Sequence, residues 1–360
     1  MRVLFLQQQP CIRTLKYAAA LRAQRPDVRL AFAYRGRTLN EWYGSGDDGF
    51  ERWWRLGSDP RPDLARVLDE FRPDLIHSHN LPDDLTVAAL AVADGGVPVI
   101  HDVHDMQSLR STPYEDGFPP PDDPLTLERQ ALEGASAVVT VSGELLDEIV
   151  ARYGRPRQAL VFPNYALRRD LPETLPPLAR VRRRAPRLVY QGTLSENGGH
   201  YDLREIFATI GSQGIRLDVY PSRPPSRSAY GALGGATGSV RLRRKLPPAR
   251  LFEVLPGYDF GWTGLNASVN RAHLDTALPN KAFEYLGCGL PILTLPHRAL
   301  SRFVAEEGLG ATLESLEHLP EQLAELDVPA LRRRVASVRL RFTTEAKIQD
   351  LLDLYEKVAA

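Results

Sequence analysis

Short apolar runs alternate with amphipathic stretches along most of the chain. In the first half, the runs typical of buried strands are residues 3–6, 30–34, 75–77, 97–101, 137–141 and 159–162. Helical periodicity occurs between them, at residues 13–23, 64–71, 85–93, 125–133 and 143–153, with Ser142 placed to cap the last of these helices. This βαβα order predicts a parallel sheet covered by helices on both faces.

The alternation stops over residues 164–187, which are rich in proline and arginine and predict a linker. It restarts with strands at 188–191, 215–220, 258–262 and 292–295, helices at 203–210 and 249–255, and a short helix with Pro279 as its first residue. Further helices are predicted at 316–323, 331–342 and 346–358. We therefore predict two α/β domains, residues 1–163 and 188–342, with residues 343–360 packing back toward the first.

The length and composition fit this picture, because 360 residues favour two domains and 43% apolar and 25% charged residues are ordinary for a globular protein. Lys and Arg balance Asp and Glu at 45 each, so net charge gives no reason to expect a nucleic-acid partner. The halves differ: residues 1–163 hold 18 basic and 24 acidic residues, whereas the remainder is basic. The second half could therefore hold an anionic ligand.

Cysteine content and hydropathy indicate a cytoplasmic protein. Only Cys11 and Cys288 occur, which argues against a disulfide scaffold, and no apolar run reaches 18 residues. We expect membrane contact to be peripheral at most, and the sequence leaves the oligomeric state unknown.

Candidate chemistry lies just after the predicted strands, where parallel sheets bind ligands. The first domain offers His77, His79, His101, His104 and Asp105 there. Neither a helical H-E-x-x-H pattern nor a Cys/His cage accompanies these histidines, so we predict no metal site. In the second domain, the glycine-rich segment 192–200 and the loop 277–281 could cradle a diphosphate, because glycine permits close approach and helix N-termini attract anions.

The helix that follows Pro279 carries Lys281 and Glu284 three residues apart, so their side chains can share one side. One interpretation is a solvated ion pair. The other is a ligand-binding face.

Several segments together resemble the retaining glycosyltransferases of family 4. They are VLFLQQQPCIRTLKYAAAL, PDLIHSHN, VIHDVHDM, VVTVSGELLDEI, VFPNY, VYQGTLSENGGH and, most specifically, ALPNKAFEYLGCGLPIL. The resemblance implies the GT-B architecture, in which two Rossmann-like parallel-sheet domains face an interdomain cleft. It also implies metal-independent transfer of a sugar, with retention, from a nucleotide-diphosphate sugar to a hydroxyl acceptor such as a glycan, a glycolipid or a small-molecule glycoside.

The resemblance also implies residue roles. Glu284 would hold the donor ribose and Lys281 would lie near the diphosphate, while His104 would be the first-domain residue nearest the reacting carbon. No cofactor is expected beyond the nucleotide sugar, with a UDP-sugar favoured over a GDP-sugar. The remaining donor-side candidates are Gly192, Thr193, Gly198, Gly199, His200, Arg204, Lys245, Thr276, Leu278, Pro279 and Asn280. The acceptor-side candidates are Arg13, Lys16, His79, Asp105 and Ser142.

Two positions depart from the family pattern. Thr276 stands where the signature usually has its first glutamate, and Gly198 and Gly199 stand where a basic residue usually meets the diphosphate; His200, Arg204 or the RLRRK segment (residues 241–245) could replace it. These departures keep open a catalytically silent subunit that binds a nucleotide sugar or a partner transferase. A sugar-nucleotide epimerase is a further alternative, although its acid/base carboxylates are not identifiable.

Overall fold

The computed structural model describes residues 1–112, 119–177, 186–223, 230–231, 233 and 238–360. The chain forms two compact units, residues 1–164 with 344–360, and residues 165–343. Residues 178–185 of the predicted linker lie outside the described part of the chain.

The N-terminal unit contains a seven-stranded, all-parallel sheet. Its strands are β1 (Arg2–Gln7), β2 (Arg29–Tyr34), β3 (Arg52–Arg55), β4 (Leu75–His79), β5 (Val99–Val103), β6 (Ala137–Thr140) and β7 (Ala159–Val161). The helices are α1 (Ile12–Gln24), α2 (Leu39–Tyr43), α3 (Arg61–Phe71), α4 (Asp84–Ala93), α5 (Pro124–Gly134) and α6 (Gly143–Tyr153). The strand order is β3-β2-β1-β4-β5-β6-β7.

The C-terminal unit repeats this plan with a six-stranded parallel sheet in the order β10-β9-β8-β11-β12-β13. Its strands are β8 (Arg187–Gly192), β9 (Arg216–Pro221), β10 (Val240–Leu242), β11 (Phe260–Trp262), β12 (Ile292–Thr294) and β13 (Gly310–Thr312). Its helices are α7 (Arg204–Ser212), α8 (Pro248–Val254), α9 (Arg271–Leu274), α10 (Asn280–Gly287), α11 (Arg298–Glu307), α12 (Leu319–Ala324) and α13 (Val328–Val338). The last helix, α14 (Thr344–Ala359), belongs to the N-terminal unit.

The predicted parallel α/β fold is therefore confirmed for both units. Every residue of β4, β5 and β6 is buried, as expected for strands covered on both faces. The strand order reverses between β1 and β4, and again between β8 and β11. Such switch points leave a crevice at the carboxyl ends of the strands where ligands bind.

The hydrophobic pattern missed β3, β10 and β13, which all lie at sheet edges. Each has three or four residues, and β3 reads RWWR, so none shows a buried apolar run.

Helix α10 begins one residue later than predicted, at Asn280, with Pro279 as its N-cap. In the described part of the chain, no helix is long and apolar enough to cross a membrane.

Close packing between β11 and α10 depends on Gly261. A Cβ at this position would overlap the ring of Tyr285, whose hydroxyl accepts a hydrogen bond from the backbone N–H of Gln191 at 2.8 Å. The contact thus fixes α10 against the ends of two neighbouring strands.

We predict that Gly261→Ala lowers the free energy of unfolding by about 1–3 kcal/mol, because the added methyl group overpacks a filled core. Urea denaturation measures the loss. Gly257→Ala is the matched control, since a Cβ there has no neighbour within 4 Å. Equal stability of the two variants would contradict the packing argument.

Candidate functional site

The donor-side candidates of the C-terminal unit gather around the carboxyl end of β8 and the start of α10. The Gly192 backbone has a φ of +138°, and a Cβ there would lie 3.1 Å from the Lys281 ammonium group. Glycine therefore leaves room for Lys281 to reach the end of the strand. These residues adjoin the point where the strand order reverses.

Glu284 is half-buried on α10, and its Oε2 accepts a hydrogen bond from the side-chain amide of Gln191. Within the described residues, Oε1 has no hydrogen-bond partner. Gln191 is held twice, since its backbone N–H also donates to Tyr285. The arrangement fixes one carboxylate oxygen and leaves the other to accept from a ligand hydroxyl.

Lys281 is buried, which rules out the solvated Lys281/Glu284 pair as an explanation of this helix. Its Nζ donates to the Tyr190 hydroxyl at 2.9 Å and lies 4.0 Å from the centre of that ring. Burial lowers the pKa of Lys281 to about 7, although the charge of Glu284 opposes this shift. An anion next to Nζ would restore the charged form.

The loop after β8 is arranged differently from a simple basic cradle. The backbone N–H of Gly198 donates to Asp202 at 3.0 Å, and that of Gly199 donates to the side chain of Asn197 at 3.1 Å. Arg204 forms a two-pronged ion pair with Asp202, at 2.8 and 2.6 Å, so this carboxylate offsets its charge. Thr193 is exposed at the start of the loop.

The residues before α10 have mainly structural contacts. The Thr276 hydroxyl donates to the His273 carbonyl at 2.9 Å, and Leu278 is buried in the core. Asn280 is the first residue of α10 and is half-buried, next to Pro279. The ring of His200 lies 4.1 Å from that of Tyr201, centre to centre.

The RLRRK segment lies on the edge strand β10, which β9 separates from β8, and on the loop after β10. Lys245 is exposed there. A pocket of about 530 Å³ opens beside the segment and is lined by Tyr220, Leu242, Arg243, Arg244, Leu246, Arg250, Glu253 and Val254. Tyr220 is the register partner of Gln191, so their side chains lie on the same face of the sheet. The pocket therefore opens on the face that carries Gln191, the hydrogen-bond partner of Glu284.

The N-terminal unit has a buried charge network at the carboxyl ends of β4 and β5. Asp102, with no exposed surface, accepts from Arg13 Nε at 3.1 and 3.0 Å and from the Tyr17 hydroxyl at 2.9 Å. His77 Nε2 lies 3.2 Å from the same carboxylate, while its Nδ1 lies 2.5 Å from the Tyr355 hydroxyl. Burial tends to raise the pKa of Asp102, but Arg13 and the histidines hold it well below its ordinary value.

His77, His79 and Asp102 have ligand atoms within 4.8 Å of one another, a spacing that could suit a metal ion. Arg13 already supplies the positive charge at Asp102, and a second cation there would be repelled by the guanidinium. His79 Nδ1 is 3.8 Å from Asp102, too long for a hydrogen bond, and burial keeps the pKa of His79 well below its ordinary value. Asp102 is better explained as the centre of a charge network with Arg13 and His77.

His104 follows β5 and is half-buried, and burial lowers its pKa, so the neutral imidazole predominates at pH 7. Asn80 holds the backbone of this loop: its Oδ1 accepts from the His104 N–H at 3.0 Å, and its amide donates to the Asp105 carbonyl. Neither Asn80 nor Gln191 was predicted as a site residue from the sequence. Both lie at the carboxyl ends of predicted strands, which is the signal that could have found them.

The other acceptor-side candidates are accounted for structurally. Ser142 caps α6, as predicted, by accepting from the Leu145 N–H at 3.0 Å. Lys16 is buried, with Nζ 3.4 Å from the Asn164 carbonyl, and Arg13 donates to the Phe162 carbonyl at 2.8 Å. Arg13 is therefore bound within the charge network rather than presented to solvent.

Two family models match the chain. Residues 12–165 match the glycosyl transferase 4-like domain, and residues 203–353 match a domain described as glycosyl transferase-like. No curated protein sequence matches significantly.

Solved structures resemble the whole chain. Sucrose-phosphate synthase from Thermosynechococcus elongatus is 13% identical, with 99% of both chains covered and a TM-score of 0.71. Anabaena HepE in complex with UDP is 15% identical, with 99% of this chain and all of that one covered, and a TM-score of 0.71. A glycosyltransferase from Rickettsia africae is 11% identical, with 99% of this chain and 98% of that one covered, and a TM-score of 0.70. These likenesses show a GT-B fold of two Rossmann-like domains.

We predict that Asp102→Asn lowers the free energy of unfolding at pH 7 by about 3–5 kcal/mol, because Arg13 would become a buried charge without a counter-charge. The pKa of Asp102 is lower in the folded state, so its stabilising contribution is present above about pH 4 and is lost as the pH falls further. Urea denaturation across this range measures both effects. A variant as stable as the wild type at pH 7 would contradict the network.

Proposed function

Because the chain belongs to the GT-B glycosyltransferase superfamily, we propose that it transfers a sugar from a nucleotide-diphosphate sugar to a hydroxyl acceptor, with retention and without a metal ion. The observation that carries the proposal is the placement of Glu284 and Lys281 on α10, beside the carboxyl end of β8. An acceptor for hydroxyl protons and a buried cation thus lie one helical turn apart.

Glu284 is assigned to the ribose of the donor. Its Oε2 is fixed by Gln191, and Oε1 can accept from a ribose hydroxyl. Such charge-assisted hydrogen bonds contribute about 1.5–3 kcal/mol each.

Lys281 is assigned to the diphosphate. A buried ammonium with a neutral hydrogen-bond partner gains most from an approaching anion, because desolvation already destabilises its charge. Gly192 supports this assignment, since the absence of a side chain lets phosphate oxygens approach the backbone and Nζ together. A cation at this position stabilises the charge that develops on the leaving group.

The pocket beside Tyr220 is assigned to the nucleoside base. It extends along the sheet face of Gln191 and has a volume of about 530 Å³, with apolar and arginine walls that suit a flat polar ring near a diphosphate. We favour uracil over guanine as the base, and the UDP bound to HepE, a protein of the same fold, supports this choice.

The N-terminal unit is assigned to the acceptor, with His104 as the residue that acts on the transferred sugar. A neutral imidazole can donate or accept one hydrogen bond to a sugar hydroxyl without adding charge. In the proposed front-face reaction, the bond from the anomeric carbon to the phosphate oxygen breaks as the bond to the acceptor oxygen forms. The acceptor proton passes to the departing phosphate.

The contacts of Thr276 and Arg204 favour one alternative, a silent subunit that binds the nucleotide sugar without transferring it. Thr276 lacks the carboxylate of the usual signature, and Arg204 is paired with Asp202. Both proposals share the donor site and differ only in turnover.

Glu284→Ala is predicted to weaken binding of the preferred nucleotide, among UDP, GDP and TDP, at least tenfold, or about 1.4 kcal/mol. Isothermal titration calorimetry measures the change. Glu306→Ala, which removes an exposed carboxylate paired with Arg302, serves as the control and should bind like the wild type. Unchanged affinity in Glu284→Ala would remove this residue from the donor site.

Donor affinity is also predicted to fall as the pH rises. The pKa of Lys281 is about 7 without ligand, and a bound diphosphate raises it, so binding takes up a proton above pH 7. Between pH 6 and 8.5 the affinity for a nucleotide sugar, whose diphosphate does not titrate in this range, should fall on the order of tenfold. In Lys281→Met the affinity should not change with pH over this range. An equally steep dependence of affinity on pH in this variant would contradict the assignment of Lys281 to the diphosphate.

A further inference from the structure

The face of the C-terminal sheet that carries Gln191 also carries an unusual set of charges. Arg187 is the register partner of Arg216, and Asp218 is the register partner of Arg241. Alternate residues of a strand share a face, so these four side chains, with Arg243 two residues further along, lie on one side of the sheet. We call this set the arginine face.

The arginine face carries four guanidinium groups and one carboxylate, Asp218, which pairs with two of them. Asp218 is fully buried and pairs with Arg187 at 3.2 Å and with Arg243 at 3.1 Å, while the Tyr258 hydroxyl donates to it at 2.8 Å. Other acidic residues nearby are engaged elsewhere: Glu253 pairs with Arg250, and Asp259 accepts from the backbone N–H of Arg187. The face therefore has an excess of positive charge.

Arg216 has no carboxylate within ion-pair distance among the described residues. The segment 221–240, which follows β9, contains neither Asp nor Glu, so it brings no counter-charge. Arg216 Nε is buried without a hydrogen-bond partner, and so are Nε of Arg187 and of Arg243. Burial, together with the three neighbouring arginines, lowers the pKa of Arg216.

These features are costly in the absence of a ligand. Like charges on directly paired strand positions destabilise a sheet, and each buried N–H without an acceptor loses a hydrogen bond that water would have supplied. A multiply charged anion with several acceptor oxygens would remove both costs. Guanidinium groups match the geometry of phosphate oxygens, which can accept two bonds from one planar fork.

We propose that the arginine face binds a phosphate-class anion, a phosphate monoester or a diphosphate, at Arg216 and its arginine neighbours. This site has no residue in common with the contacts of Lys281 and Glu284 and does not depend on sugar transfer, although Arg243 also lines the pocket beside Tyr220. The anion could be free in solution or could be the headgroup of an anionic lipid.

The test uses pyrophosphate as the probe and Lys281→Met as the background, so that binding at the proposed donor site is suppressed. Calorimetry should detect pyrophosphate binding to the Lys281→Met variant. Adding Arg216→Met to this variant should weaken the affinity for pyrophosphate at least tenfold. Arg302→Met, which removes an exposed arginine paired with Glu306, is the control and should leave binding unchanged. Absence of binding, or equal binding with and without Arg216→Met, would overturn the proposal.

Thermal unfolding provides a second measurement that requires no ligand. Without anion, Arg216→Met should melt at or above the temperature of the background protein, because a repelled charge is removed. A clearly lower melting temperature would show that Arg216 is stabilised by the protein itself, and would overturn the proposal. Co-sedimentation with phosphatidic acid vesicles, compared with phosphatidylcholine vesicles, distinguishes a lipid headgroup from a free anion as the ligand. Arg216-dependent sedimentation with phosphatidic acid identifies a lipid headgroup. Pyrophosphate binding without such sedimentation identifies a free anion.

Discussion

Both units are organised by burial of a parallel sheet on its two faces. Strands such as β4 and β5 have no exposed residue, so burying a polar side chain there is costly unless it is paired, as Asp102 is with Arg13. Other polar side chains, such as Asn80 and Gln191, lie at the carboxyl ends of the strands. The reversal of strand order opens a crevice at those ends, which is where Glu284 and His104 occur.

The sequence predicted the interior of each sheet well, because a strand flanked by two others must be apolar on both sides. It failed at three of the four edge strands, β3, β10 and β13, which have one neighbouring strand and tolerate arginine or short length, whereas the fourth, β7, was predicted. The pattern of hydrophobic residues reports burial, and edge strands are less buried. Their pairing follows from tertiary contacts that a local pattern does not contain.

The candidate site was predictable in part. The motif around α10 pointed to Lys281 and Glu284, but helical spacing alone left a solvated ion pair open. The burial of Lys281 against Tyr190 uses the space left by Gly192. Nor could the sequence show that Arg204 is paired with Asp202. Ion pairs of this kind, even between residues two apart in sequence, decide which of several basic residues can meet a ligand.

The donor assignment and the charge distribution of the C-terminal unit share one physical basis. Lys281 and Arg216 have no carboxylate within ion-pair distance among the described residues, and burial lowers the pKa of both, so an anion beside either group would favour its charged form. Cations already paired, such as Arg13 and Arg204, hold the structure together instead.

Sugar transfer from a nucleotide sugar can be measured by ³¹P and ¹H NMR of the wild-type protein incubated with UDP-, GDP- and TDP-sugars and a panel of hydroxyl acceptors. We expect release of one nucleoside diphosphate, together with a new anomeric signal of the same configuration as the donor. A donor that binds but is never consumed with any acceptor would contradict sugar transfer and leave the silent subunit as the function.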